Sequence, residues 1–205
     1  MFEAVKRIRR IVDKRHERGH LPYRVQDIHA AVIEVTGIDC VRFYGFPDDG
    51  TNPVWGRFRR YSGEIAPYAG NGCIVEIDYN QSLEARPWDL RFTATKELCH
   101  ALEDDPTVRV KSCPELEQLV KALQADHTSQ VSAIYPPLQS ESIAEVCALE
   151  LLCPLRDRLK LVGNGARAGL SDMQIAQAFV IPVGLVPFLF EPAVNTFMAT
   201  IFGDG

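Results

Sequence analysis

The spacing of apolar residues changes twice along this chain, and those two changes set its fold class. Up to residue 36 the apolar positions recur at helical intervals. Between 38 and 79 the character switches to three short runs, IDCVRFYGF, VWGRFRRYSG and GCIVEIDYN, rich in β-branched and aromatic residues. The turn clusters PDDGTNP and PYAGNG separate them. From residue 87 helical spacing returns. A short β island between helical flanks predicts an α+β domain with N-terminal helices, a small antiparallel or mixed sheet of three or more strands, and a helical remainder.

The helical parts can be bounded. Residues 2–18 form one predicted helix and residues 24–36 a second, which Gly37 would cap. A third runs from Trp88 to about Asp104, with Pro87 near its first position and Pro106 beyond its end. Pro114 opens a fourth, to about Asp126. The connector HTSQVSAIYPPLQS precedes a long helical segment from Glu141 toward Leu161, which Pro154 breaks or kinks. After the loop GNGARAG, Ser171 caps SDMQIAQAF. The tail to Phe202 is apolar and punctuated by Pro182, Pro187 and Pro192. These boundaries divide the chain into a main domain, 1–162, and a small C-terminal helical subdomain, 163–205, packed on it. There is no internal repeat.

With 205 residues, 46% of them apolar, the chain can bury a core without disulfide or metal staples. A net charge of −5 excludes a polycation built for nucleic acid. The charge is uneven, however. Lys6, Arg7, Arg9, Arg10, Lys14, Arg15 and Arg18 crowd the first helix, with Phe2, Val5, Ile8 and Val12 on its docked face. A solvated face explains that run; contact with an acidic partner or nucleic acid is the other reading. The six cysteines, at 40, 73, 99, 113, 147 and 153, form no C-x-x-C pair. MFEAVKRIRR has no apolar signal region. The longest apolar run, Ile181 to Phe190, is ten residues with two prolines, too short and broken to span a bilayer. A cytoplasmic, reducing setting is therefore expected. No serine elbow, P-loop or dinucleotide fingerprint is present.

Two segments carry chemistry. In RFTATKELCHALEDD, residues 91–105, Lys96-Glu97-Leu98-Cys99-His100 stands one residue away from H-E-x-x-H. That pattern binds zinc because histidines at i and i+4 lie on one helix face and the intervening Glu serves as general base. Here Lys96 occupies the first histidine position. In ESIAEVCALELLCP, residues 141–154, Glu141 and Glu145 share one face, and Val146, Leu149, Leu152 and Cys153 make the buried side. Cys99, three residues from Lys96, reads as a small buried hydrophobe, and a thiolate ligand is its other reading. Glu103, Asp104 and Asp105 read as a helix end frayed into solvent, with a cation-facing loop as the other reading.

The strand GCIVEIDYN, then RFTATKELCHAL, then ESIAEVCALELLCP, and finally SDMQIAQAFVIPVGLV resemble, in that order, the ImmA/IrrE family of metallopeptidase-like proteins. The likeness covers about residues 20–190. It implies a zincin-like core within 1–162, with Glu97 as catalytic general base, His100 and Glu141 as metal ligands, and Glu145 steadying a ligand from one turn on. The family's activity would be a zinc-dependent endopeptidase acting on repressor-type proteins.

Lys96 decides between readings. As a zinc ligand it must lose a proton, at a cost of about 4.6 kcal/mol at pH 7. Protein zinc ligands are nearly always Cys, His, Asp or Glu. Protonated, it would pair with Glu141, Glu97 or both and leave the pocket metal-free. The expectation is a peptidase-like regulatory protein without a cofactor, binding a protein partner in a groove over the Lys96–His100 helix. The alternative is an active zinc peptidase whose metal is held by His100, Glu141 and a third group. Chance similarity is the third reading.

Overall fold

The computed structural model describes residues 1–15, 22–50, 54–68, 70–103, 114–115, 118–119, 136–162 and 169–203. The fold is α+β. Helices α1 (Phe2–Arg15) and α2 (Val25–Thr36) precede strands β1 (Cys40–Phe46), β2 (Gly56–Glu64) and β3 (Asn71–Asn80). A 3-10 turn, Gln81–Ala85, leads into α3 (Pro87–His100). Then come α4 (Pro136–Leu152), α5 (Leu155–Val162), α6 (Asp172–Phe179), α7 (Val186–Leu189) and α8 (Pro192–Phe202).

The sheet is mixed, with order β1-β3-β2. β1 runs parallel to β3, and β2 antiparallel to it. The central strand is the most buried of the three, as its position between two partners requires. Val75 and Ile77 face the helices, with Phe58 of β2 and Val41 of β1 beside them. β2 is an edge strand, and it passes over α3.

α3 is enclosed. The sheet covers one side, α4 a second and α2 a third, and eight of its residues are buried. A helix so placed must be largely apolar or satisfy its polar groups internally. Thr95 does so by donating to the Arg91 carbonyl at 2.9 Å. Pro87 sits in the first turn, where its missing N–H costs nothing. The helix ends at His100 and continues as a tight turn, earlier than the expected Asp104, which lies with Pro106 outside the described residues.

α4 begins at Pro136, five residues ahead of the expected Glu141. The segment PPLQS therefore supplies its first turn, and Ser140 comes onto the helix. Pro154 breaks the segment as expected, between α4 and α5. Gly37 caps α2 in the left-handed conformation, φ 66°, and its N–H bonds the Ile33 carbonyl. α1 stops at Arg15, and residues 16–18 of its expected span lie outside the described residues, as do most of the expected 114–126 helix and the GNGARAG loop.

Three arginines, of which Arg9 and Arg158 are buried, and one buried acid tie the layers. Arg91 donates to the carbonyls of Phe179 and Val180, at 2.8 and 2.9 Å, and to that of Tyr23. It thereby fastens the C-terminal end of α6 to α3. Val180 sits there at φ 53°, a left-handed conformation unusual for a β-branched residue. Arg158 of α5 donates to the Leu189 carbonyl at 2.6 Å and lies against Met198 of α8. Glu150, fully buried on α4, takes Arg9 from α1 and the Leu155 N–H at the start of α5. Arg9 therefore belongs to the core and not to the basic face expected of α1. The exposed basic residues of that helix are Arg7, Arg10, Lys14 and Arg15, and Arg15 pairs with Glu34 of α2 at 2.9 Å.

Among the described residues no single helix is long and apolar enough to cross a membrane.

Candidate functional site

The site forms where α3 and α4 cross beneath β2. Lys96, Glu97 and His100 project from the last turns of α3, and Glu141 from the second turn of α4. The structure brings all four together. The Lys96 ammonium contacts Glu141 Oε2 directly and lies 3.4 Å from Glu97 Oε1. His100 Nε2 lies 3.3 Å from the other oxygen of Glu141. One carboxylate on α4 thus receives two groups from α3, spaced one helical turn apart.

Burial makes these charges matter. The Lys96 and Glu141 side chains are 22% and 20% exposed, and those of Glu97 and His100 only 5% and 8%. Burial opposes the charge on Lys96, but Glu97 and Glu141 outweigh it and hold the ammonium well above the usual lysine range. Burial likewise opposes the charges of Glu141 and His100. His100 and Lys96 nevertheless pull the Glu141 carboxyl down to about 2, and Glu103 and Glu141 lift His100 to about 10. At neutral pH the cluster holds two cations, Lys96 and His100, among carboxylates.

A second layer supports His100, and it includes a residue assigned from sequence to solvent. Glu103 is not frayed. Its carboxylate accepts from His100 Nδ1 at 3.1 Å, and Ser140 Oγ donates to its other oxygen at 2.5 Å. Its side chain is 11% exposed. Glu103 is expected from the sequence at a frayed helix end, and Ser140 is not singled out there. Glu103 follows His100 by three positions, one helical turn, a spacing that could have marked it as a partner. Ser140 carried no signal, because α4 was expected to begin after it. Glu145 lies one turn beyond Glu141 on α4 and is half-buried. Cys99 is fully buried, and burial pushes its thiol up, away from thiolate chemistry.

The strand above closes the pocket. A Cβ added to Gly56 would fall 2.7 Å from Glu97 Oε1 and 2.8 Å from Thr93 Cγ2. Only glycine lets β2 approach α3 this closely. Two residues on, the Phe58 ring sits 6.0 Å from that of His100.

These donors do not fit a catalytic zinc ion, which takes three protein ligands and one open position. His100 Nε2 and Glu141 supply two. The third position belongs to an ammonium, which has no lone pair. Among the described residues no group of three or more His, Cys, Asp or Glu side chains has the arrangement of a metal centre. Comparison of the chain with protein-family models, curated proteins and solved structures finds no significant match.

Proposed function

We propose that this chain is a peptidase-like regulatory protein of the ImmA/IrrE type that binds a protein partner without cleaving it. The observation that carries the reading is the position of the Lys96 ammonium, paired with both Glu97 and Glu141. A general base engaged by an ammonium has no metal-bound water to activate. Among the described residues no strand pairs with the outer edge of β2, which passes over α3, and that edge is where an extended segment would add. The partner class is a protein segment, such as an exposed stretch of a transcriptional repressor. No cofactor is required. The reading includes a cytoplasmic setting, with which the free thiols of Cys40, Cys73, Cys99, Cys147 and Cys153 agree.

Two assays test it. With zinc added, the chain is expected to cleave an unfolded protein substrate no faster than Glu97→Gln does. Cleavage that depends on Glu97 would move the assignment to the zinc peptidase, with metal on His100 and Glu141. Panning of an extended-peptide display library should enrich binders whose affinity falls about tenfold or more in Lys96→Glu, a loss of about 1.4 kcal/mol. Binders indifferent to that change would remove this site from the account.

A further inference from the structure

Away from the α3–α4 crossing, α1 and α8 meet at the N-terminal end of α1. There the Phe2 ring packs edge-on against Phe197 and Phe202, with 6.0 and 5.7 Å between centroids. From that contact Phe2, Lys6, Arg10 and Lys14 follow at intervals of four residues, the spacing that lines side chains up along a helix. Arg7 stands beside Arg10 and Lys14 at the other neighbouring interval, three and seven residues. Arg7, Arg10 and Lys14 are exposed, and among the described residues none of them is ion-paired. The two acids of α1 are engaged elsewhere: Glu3 pairs with Lys6 at 2.8 Å, and Asp13 with Arg156 at 3.1 Å.

The neighbouring helix has the opposite character. α8, PAVNTFMATIF, has no charged residue. Met198 and Phe202 are buried, while Ala193, Thr196, Phe197 and Thr200 face solvent. Phe197 is 44% exposed although it touches Phe2. The solvent side of a helix ordinarily carries charged and polar groups. A row of unpaired cations that ends on an exposed aromatic ring matches a surface that is anionic outside and apolar beneath. Each cation near an anionic leaflet raises partitioning about fivefold, so three give about a hundredfold. Attraction of that size holds a protein only when an apolar group adds to it, and Phe197 is placed to supply one. A nucleic acid would use the cations alone and leave the uncharged face of α8 without a role.

We infer that the Lys6, Arg10 and Lys14 row of α1, with Arg7 beside it and Phe197 of α8 at its end, is a docking surface for an anionic lipid membrane, on which the protein lies without crossing it.

The test is flotation of the whole chain at physiological salt with vesicles of phosphatidylcholine containing about one-third phosphatidylserine, and with phosphatidylcholine vesicles alone. The chain is expected to float with the mixed vesicles and to stay in solution with the neutral ones. Binding should weaken as salt is raised. Arg10→Gln together with Lys14→Gln should lower partitioning about tenfold or more. Phe197→Ser should lower it about fivefold or more. Because Phe197 also packs on Phe2, Phe197→Trp gives a second reading that keeps an aromatic ring in place. Its emission should move to shorter wavelength when mixed vesicles are added, beyond any change in the wild-type chain. No flotation, equal binding to both vesicles, binding indifferent to either set of changes, or a folded Phe197→Trp chain with no such shift would each overturn the inference. Salt-sensitive binding of duplex DNA or RNA without vesicle binding would overturn it too, and would assign the row to nucleic-acid phosphates. None of these results bears on the pairing of Lys96, so the functional reading stands or falls separately.

Discussion

Lys96→Met removes the ammonium and keeps most of the apolar stem. It leaves Glu97 and Glu141 near one another, mostly out of water, without the cation they share. Breaking a fully buried ion pair by removing one partner costs about 3–5 kcal/mol, whereas an exposed pair contributes about 0–1 kcal/mol. Lys96 and Glu141 are about one-fifth exposed, and Glu141 keeps His100 after the exchange. The expected loss therefore lies between the limits, at about 2–3 kcal/mol. In a chain of this size each kcal/mol moves Tm by about 2–4 °C, so Tm should fall by about 4–12 °C. Circular-dichroism melts at pH 7 read the shift. The double variant with Glu141→Gln should recover part of the loss, a coupling of about 0.5–3 kcal/mol in the cycle. A Tm within about 1 °C of wild type, with no coupling, would show that the ion pair does not organise the pocket.

Other expectations follow from the same contacts. Gly56→Ala drives a methyl group into Glu97 and Thr93; urea unfolding should show a loss of about 1–3 kcal/mol, typical of overpacking. Arg91→Met leaves the carbonyls of Phe179, Val180 and Tyr23 without their donor. A loss of about 2–4 kcal/mol is expected, with earlier proteolytic cleavage near residue 180. Glu150→Ala removes the buried carboxylate that pairs with Arg9 and should cost about 3–5 kcal/mol in the same melts. The stability profile with pH should fall on both sides. The folded His100 titrates at about 10 against 6.5 unfolded, so its contribution is whole below pH 6.5 and is lost as pH rises through 10. The folded Glu141 titrates at about 2 against 4.5, so its contribution is present above pH 4.5 and is lost as pH falls through 2. His100→Gln should flatten the alkaline limb between pH 7 and 10; an unchanged limb would contradict the assigned charge on His100.

Much of the fold was legible because the relevant signals are local. The three strands fall on the runs that β-branched and aromatic residues mark, β2 and β3 each passing them by a residue at one end, and Gly37, Pro87, Pro154 and Ser171 stand where helices start, stop or break. Ser171 even completes a capping box with Gln174, which periodicity alone does not require. The parallel pairing of β1 with β3 was not legible, since strand order is a tertiary choice that a run of apolar residues does not encode. Pro136 and Pro137 obscured the start of α4. They read as connector, yet proline is tolerated in a first turn, where the N–H has no helical partner.

At the site, helical geometry was enough to place Lys96, Glu97 and His100 on neighbouring positions and Glu141 on a second helix. Their meeting required the crossing of α3 with α4, which only the fold supplies. Charge in a sequence does not reveal burial. Glu103 and Arg9 both looked like surface residues, because acids and arginines usually are. Both are inside, each held by a partner from a distant part of the chain, Ser140 for one and Glu150 for the other. Gly56 shows the same limit at the scale of one atom. A glycine opening a strand reads as turn chemistry, while here its missing Cβ is the space that Glu97 occupies.

The central claim is that the ammonium of Lys96 holds the position a metal ion would need. Zinc titration of the wild-type chain by isothermal calorimetry, with elemental analysis of the same sample after desalting, tests it most directly. No binding at the pocket and no retained zinc is the predicted result. About one zinc per chain, abolished by His100→Ala or Glu141→Ala, would contradict it, since catalytic and structural sites alike bind one ion through such ligands.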